Sequence, residues 1–146
     1  MLRSPLIHPP LLAALGAAGH GGRVLIADAN YSHSTNVNPR AALIHLNLRP
    51  GLVTVDQVLE PVVATVPVES VTVMQPDDGS TPEAFGRYRE LLGLPLQPLS
   101  RLDFYAACRE PDLAVCVATG DDRLYTNVLL TIGYLTPGGQ PGPPVA

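Results

Sequence analysis

The chain has 146 residues, 46% of them hydrophobic and only 15% charged, with a formal net charge of -4. That length supports one domain with a real core, the acidic balance leaves no basic patch for nucleic acid, and the absence of lysine excludes Schiff-base chemistry and lysine phosphate cradles. The charged fraction lies well below the ~25% of an ordinary soluble domain, which points to surface buried by other subunits, with an unusually apolar α/β core as the alternative.

In chain order, Leu6-Ile7 is broken by Pro9-Pro10 and no run reaches ~18 apolar residues, so neither a signal peptide nor a membrane span is expected and the protein reads as cytoplasmic. Leu11 to Ala18 reads as a short helix, started by the prolines and ended by Gly19. Val24 to Ala27, a continuous apolar run behind glycines, reads as a buried strand. The polar stretch Asn30 to Arg40 reads as a loop and Ala41 to Leu46 as a second strand. Thr54 and Gln57 have capping-box spacing, with Val53 and Val58 at the staple positions, for a helix to about Thr65 that contains Pro61. Val68 to Met74 reads as a strand and Pro76-Asp77-Asp78-Gly79 as a turn. A helix from near Pro82 to near Gly93 takes Ser80 or Thr81 as its cap. Pro95 and Pro98 limit the next segment to a short edge strand. Ser100 caps a helix from Arg101 to Arg109, and Leu113 to Ala118 and Asn127 to Ile132 are the last strands.

Alternation of strands and helices implies a single α/β domain over residues 1–136, a mainly parallel sheet with helices on both faces. Residues 137–146, rich in Pro and Gly, are expected to form a flexible tail. Cys116 lies in an apolar run and Cys108 has no activating neighbours, and neither cysteine has zinc-ligand spacing, so no metal is expected. The glycines around His20 precede a strand rather than opening a helix, so no nucleotide cofactor is expected either.

Two groups frame the first strand. His20 is the leading acid/base candidate, since imidazole titrates near neutral pH, provided the glycines beside it fold the chain back toward the crevice. The alternative is a histidine that hydrogen-bonds a helix C-terminus. Asp28 follows the strand, where open α/β sheets bind ligands, and suits an orienting role or a hydroxyl acceptor; the alternative is a cap for the following turn. Arg101, in the first turn of its helix, has a planar fork able to hold sugar hydroxyls, although a surface arginine fits the spacing as well. Tyr125 and Asn127 lie where a glycine-containing loop enters the last strand, and His33 reads as a solvated loop histidine.

These residues, with Ser4-Pro5-Leu6-Ile7, Gly19-His20-Gly21, Asp28-Ala29, Pro82-Glu83, Arg87-Tyr88-Arg89, Phe104-Tyr105, Thr119-Gly120 and Tyr125-Thr126-Asn127-Val128-Leu129-Leu130, occur in an order and spacing that resembles the family of L-fucose mutarotase and D-ribose pyranase. The resemblance extends to about Pro137. It implies an α/β sandwich, ring-based oligomers that are often decamers, and sites completed across subunits around a monosaccharide. It further implies that His20 is the catalytic acid and that Asp28 and the tripeptide Tyr125, Thr126 and Asn127 bind the sugar, with Tyr125 as a possible second proton carrier. Arginine at position 101 matches the fucose branch, where the ribose branch carries histidine. Two departures stand out. Gly22 occupies the place of an aspartate, and Asn30 to Ser34 lacks the fucose-type histidine at Asn30 and proline near Ser32. The expected activity is therefore interconversion of the α and β anomers of a free aldose. A pyranase-type exchange of pyranose and furanose forms and a catalytically silent sugar binder are the alternatives.

Overall fold

The computed structural model describes residues 1–145, in which the elements are α1 (Pro9–Ala18), β1 (Arg23–Ala27), β2 (Ala42–Leu46), α2 (Val55–Val63), β3 (Val68–Met74), α3 (Ala84–Leu92), β4 (Leu96–Leu99), α4 (Arg101–Arg109), β5 (Leu113–Thr119) and β6 (Val128–Ile132). The strands form one six-stranded sheet in the order β2-β5-β1-β6-β3-β4. β5 runs parallel to β1 and β2, and β4 parallel to β3; β6 alone is antiparallel, to β1 and β3. Its direction matters for function: β6 begins at the carboxyl ends of β1 and β3 and finishes at their amino ends.

Successive strand residues face opposite sides of a sheet, and β1 separates two cores accordingly. Val24 and Ile26 pack with Leu11 and Leu15 of α1, Leu59 and Val62 of α2, and Phe85 and Tyr88 of α3. Leu25 and Ala27 pack on the other side with Phe104 and Cys108 of α4, Cys116 and Leu129. Helices thus cover both faces, as the strand–helix alternation predicts. No helix among the described residues is long and apolar enough to cross a membrane.

Local chemistry sets the helix starts. The Thr54–Gln57 capping box closes in both directions, Gln57 N to Thr54 Oγ1 at 3.3 Å and Thr54 N to Gln57 Oε1 at 2.9 Å. Ser100 Oγ accepts from Asp103 N at 3.2 Å. His8 caps α1, its Nδ1 accepting from Leu11 N at 3.3 Å. α3 differs from expectation: its N-cap is Glu83 without a side-chain hydrogen bond. Ser80 is unavailable because its backbone is held in the preceding turn by Asp78 and Gln75. Beyond Pro137 the chain makes backbone contacts through Gly142. Thr136 N bonds Gln140 O at 2.8 Å, Gly142 N bonds Tyr134 O at 2.9 Å, and a Cβ on Gly142 would collide with the Tyr134 ring.

Gly120 follows β5 where the 49–52 turn presses on it; a Cβ there would collide with the carbonyl oxygens of Leu52 and Arg49. Since backbone cannot yield as a side-chain tip can, Gly120→Ala is expected to destabilise the protein by at least about 1–3 kcal/mol, read as a lowered urea midpoint.

Candidate active site

A cavity of about 250 Å³ opens at the carboxyl ends of β1 and β3. Asp28 and Asn127 meet at its base because β6 is antiparallel and starts beside the end of β1. Asn127 Oδ1 accepts from Asp28 N at 2.8 Å while Asn127 Nδ2 donates to Asp28 Oδ2 at 3.0 Å, which fixes the orientation of both side chains. Asn30 N donates to Asp28 Oδ1 at 3.0 Å. Asp28 is therefore both the turn cap and a cleft carboxylate, the two roles its position allows. It is 3% exposed. Burial pushes its carboxyl up to about 6, against the opposite pull of backbone amide donors, and the nearby Asp121 carboxylate adds to the rise. A carboxylate so poised takes up and releases protons close to neutral pH.

The walls come from α4 and the β5–β6 loop. Arg101 Nε donates to Asp77 Oδ2 at 3.3 Å and its guanidinium lies 5.9 Å from the centre of the Tyr105 ring. Tyr125 reaches the same Asp77 oxygen through its hydroxyl at 3.5 Å. Its φ of 59° lies in the left-handed region, unusual for an aromatic residue and a form of strain that collects at functional sites. Thr126, between Tyr125 and Asn127, does not line the cavity. It is 1% exposed, its hydroxyl faces the Arg123 carbonyl at 3.4 Å, and its own carbonyl is held by the Tyr88 hydroxyl at 2.6 Å. The β5–β6 loop is anchored beneath. Arg123 Nε and backbone N bond Asp121 Oδ1 at 2.9 and 3.1 Å, Asp121 Oδ2 accepts from Val55 N at 2.9 Å, and the Arg123 guanidinium also bonds Asp56. Asp121 O in turn accepts from Ala29 N at 2.8 Å, next to Asp28.

His20 does not join this group within the chain. Gly21 N bonds Ile132 O and Ile132 N bonds Gly22 O, each at 2.9 Å, so the glycines tie the loop to the end of β6 instead of reversing it. His20 lies at the amino end of β1, separated from Asp28 by the length of that strand, roughly 15 Å at strand rise. There it pairs with Glu69 Oε2 at 3.2 Å and packs near Tyr134, ring centres 5.2 Å apart. It does not cap a helix C-terminus. His33 is half-buried rather than solvated, its ring 5.9 Å from that of Tyr31, with Nε2 buried and unpartnered among the described residues; burial lowers its pKa.

Sequence reasoning missed Tyr31, Met74, Tyr105 and Leu124 on the cavity wall and Asp77 behind it. Tyr105 stands one helical turn after Arg101, a spacing that places both on one face, and Asp77 lies in the turn after β3, beyond Gln75 and Pro76. Both cysteines are unpaired and buried, their thiols pushed up to about 11 for Cys108 and about 12 for Cys116 by burial. Among the described residues no three His, Cys, Asp or Glu side chains are placed to share a metal ion.

Residues 1–135 match the RbsD / FucU transport protein family. The D-ribose pyranase of Paracidovorax citrulli is 32% identical over 133 residues, 91% of this chain and 98% of that protein. The structure of a fucose mutarotase from Streptococcus pneumoniae, in complex with L-fucose, matches with a TM-score of 0.79 at 29% identity, covering 93% of this chain and 100% of that one. RbsD of Bacillus subtilis, complexed with D-ribose, shares the fold with a TM-score of 0.81 at 24% identity, over 93% of this chain and 100% of that one.

Proposed function

The chain belongs to the RbsD / FucU family, and from that membership and its cleft we propose that it interconverts the α and β anomers of a free aldose such as L-fucose, in the cytoplasm and as a ring-based homo-oligomer, a decamer. The observation that carries this is the buried Asp28–Asn127 pair at the base of a small cleft flanked by Arg101 and Tyr125. A cavity of about 250 Å³ is below the ~300 Å³ where drug-sized ligand pockets begin and suits one sugar ring. Its polar atoms, a carboxylate, an amide, a guanidinium and a phenol, match a ring of hydroxyls.

The chemistry needs one proton delivered to the ring oxygen and one taken from the anomeric hydroxyl. The bond between the anomeric carbon and the ring oxygen then breaks, the aldehyde turns, and the ring closes on its other face with the protons returned. No net atom or electron is gained. Asp28 accepts a hydroxyl hydrogen bond or proton, Arg101 and Asn127 orient the sugar, and Tyr125 is the second proton carrier. Thr126 contributes through a backbone fixed by Tyr88. His20 serves as the catalytic acid in the cleft of a second copy, since β1 keeps it from its own. The low charged fraction, 15%, supports the buried surface such an assembly needs. Light scattering is expected to give a stable species many times the 15.4 kDa chain; a monomer contradicts both the assembly and the shared site.

A pyranase-type exchange is the second possibility, favoured by the 32% identical D-ribose pyranase, whereas Arg101 favours the fucose type through the family resemblance. NMR exchange spectroscopy on L-fucose, D-ribose and related aldoses separates them by which sugar responds. Binding without catalysed exchange of any sugar would identify a silent binder. Exchange is expected to survive exhaustive chelation; loss that a divalent ion restores contradicts the proposed chemistry.

A further inference from the structure

Asp77 and Asp78 stand side by side in the turn between β3 and α3 and serve different ends. Asp78 closes the turn: its Oδ1 accepts from Ser80 N at 2.9 Å, and Gly79 N bonds Pro76 O at 3.0 Å. Gln75 ties the turn to its surroundings, its backbone N bonding Leu99 O at 2.8 Å and its Nε2 donating to Ser80 O at 2.7 Å. Leu99 ends β4 and Ser100 caps α4, so the bond from Gln75 sets the turn beside the first residue of that helix, Arg101. The Asp77 side chain takes no part in these bonds and reaches out of the turn instead. Its Oδ2 accepts from Arg101 Nε at 3.3 Å and from the Tyr125 hydroxyl at 3.5 Å. Among the described residues Asp77 is the only salt-bridge partner of Arg101 and the only hydrogen-bond partner of the Tyr125 hydroxyl. Two cleft groups, one from α4 and one from the β5–β6 loop, thus share one carboxylate oxygen as their anchor.

We propose that Asp77 is the positioning residue that sets both Arg101 and Tyr125 for the sugar. This rests on the proposed roles of those two residues in the cleft. A carboxylate only accepts hydrogen bonds, so the Tyr125 O–H turns toward Asp77 and its oxygen keeps a lone pair for a sugar hydroxyl. Arg101 commits Nε to Asp77, while Nη1 and Nη2 have no hydrogen-bond partner among the described residues and remain as donors. A donor fork and an acceptor oxygen held side by side suit neighbouring hydroxyls, since each hydroxyl can both accept and donate. The ion pair is solvated, with side chains 42% exposed for Arg101 and 61% for Asp77, and such pairs contribute little to stability. Asp77 therefore shapes the cleft without holding the fold.

The test follows NMR anomer exchange and urea midpoints in wild type, Asp77→Ala, Asp77→Asn, Arg101→Ala and Tyr125→Phe, and in the two double variants that add Asp77→Ala to Arg101→Ala or to Tyr125→Phe. Asp77→Ala is expected to raise KM by about fivefold or more with the urea midpoint unchanged. Asp77→Asn, whose amide oxygen still accepts from Nε–H and from the phenol, is expected to recover part of that loss. Adding Asp77→Ala should cost less in each double variant than in wild type, because a residue acting through Arg101 and Tyr125 has less left to position. Wild-type KM and kcat in Asp77→Ala, or an equal loss in wild type and in both partner backgrounds, overturns the proposal while leaving the proposed activity standing. Absence of catalysed exchange in wild type for every aldose tested overturns the activity and this role with it, and the two failures are thereby distinct.

Discussion

His20→Ala is expected to slow catalysed anomer exchange by at least about tenfold, and by up to the hundred- to ten-thousandfold that general acid/base assistance supplies. Sugar binding and assembly should survive. The imidazole side chain is 43% exposed and half-exposed ion pairs add little to stability, so the fold does not depend on it. It contributes no atom to the cleft of its own chain, which Asp28, Arg101, Tyr125 and Asn127 still line. The loss should therefore fall on kcat rather than KM. If exchange stays at the wild-type rate for every sugar tested, His20 is structural and Tyr125 becomes the leading proton carrier.

Asp28→Asn should have an effect of similar size, with a signature in pH. Burial pushes the wild-type carboxyl up to about 6, so the anion proposed to accept a sugar hydroxyl fills as pH rises through that value. Exchange in wild type is expected to climb through an acid limb near pH 6. In Asp28→Asn the rate should fall at least about tenfold and that limb should disappear. The amide cannot replace the anion: Asn127 Nδ2 donates toward Oδ2 and Asn30 N toward Oδ1, so the nitrogen of the introduced amide meets a donor whichever way it turns. Stability carries the same group with its own sign. The carboxyl is raised from 3.8 to about 6 in the folded protein, so between those values the folded state holds the proton that the unfolded chain has released. Stability associated with Asp28 is complete below about pH 4 and declines as pH rises through 6, by about 3 kcal/mol in all. Urea midpoints at pH 4 and pH 7 should therefore differ less in Asp28→Asn than in wild type. An equal difference in the two proteins would show that burial does not hold Asp28 in its protonated form.

Local elements were legible in the sequence wherever their cause was local. The Thr54–Gln57 box and the Ser100 cap depend on residues three apart, and both formed at those positions. Asp28 was legible because a carboxylate after a buried strand lies at the ligand-binding end of a sheet. Its contact with Asn127, 99 positions away, depends on β6 running antiparallel beside β1, which no periodicity records. His20 shows the reverse difficulty. Gly21 and Gly22 permit many paths, and hydrogen bonds to Ile132 selected the one that leads away from Asp28. Glu69 was hidden because a bulge breaks the two-residue alternation by which strands are read. Asp77 and the Asp121–Arg123–Asp56 anchor were hidden because loop residues meet only once the strands that carry them are assembled.

The central claim is that one site draws its cleft from one copy and its acid from another. Mixed assemblies test it most directly. His20→Ala chains keep an intact cleft and Asp28→Asn chains keep an intact His20, so each assembly alone should be nearly inactive. When the two variants are co-expressed in equal amounts and purified together, the proposed assembly would form sites that pair an intact cleft with an intact His20 at random. Exchange should then return to about a quarter of the wild-type rate. Activity no higher than the mean of the two single variants, in assemblies shown by mass spectrometry to contain both chains, would contradict a shared site.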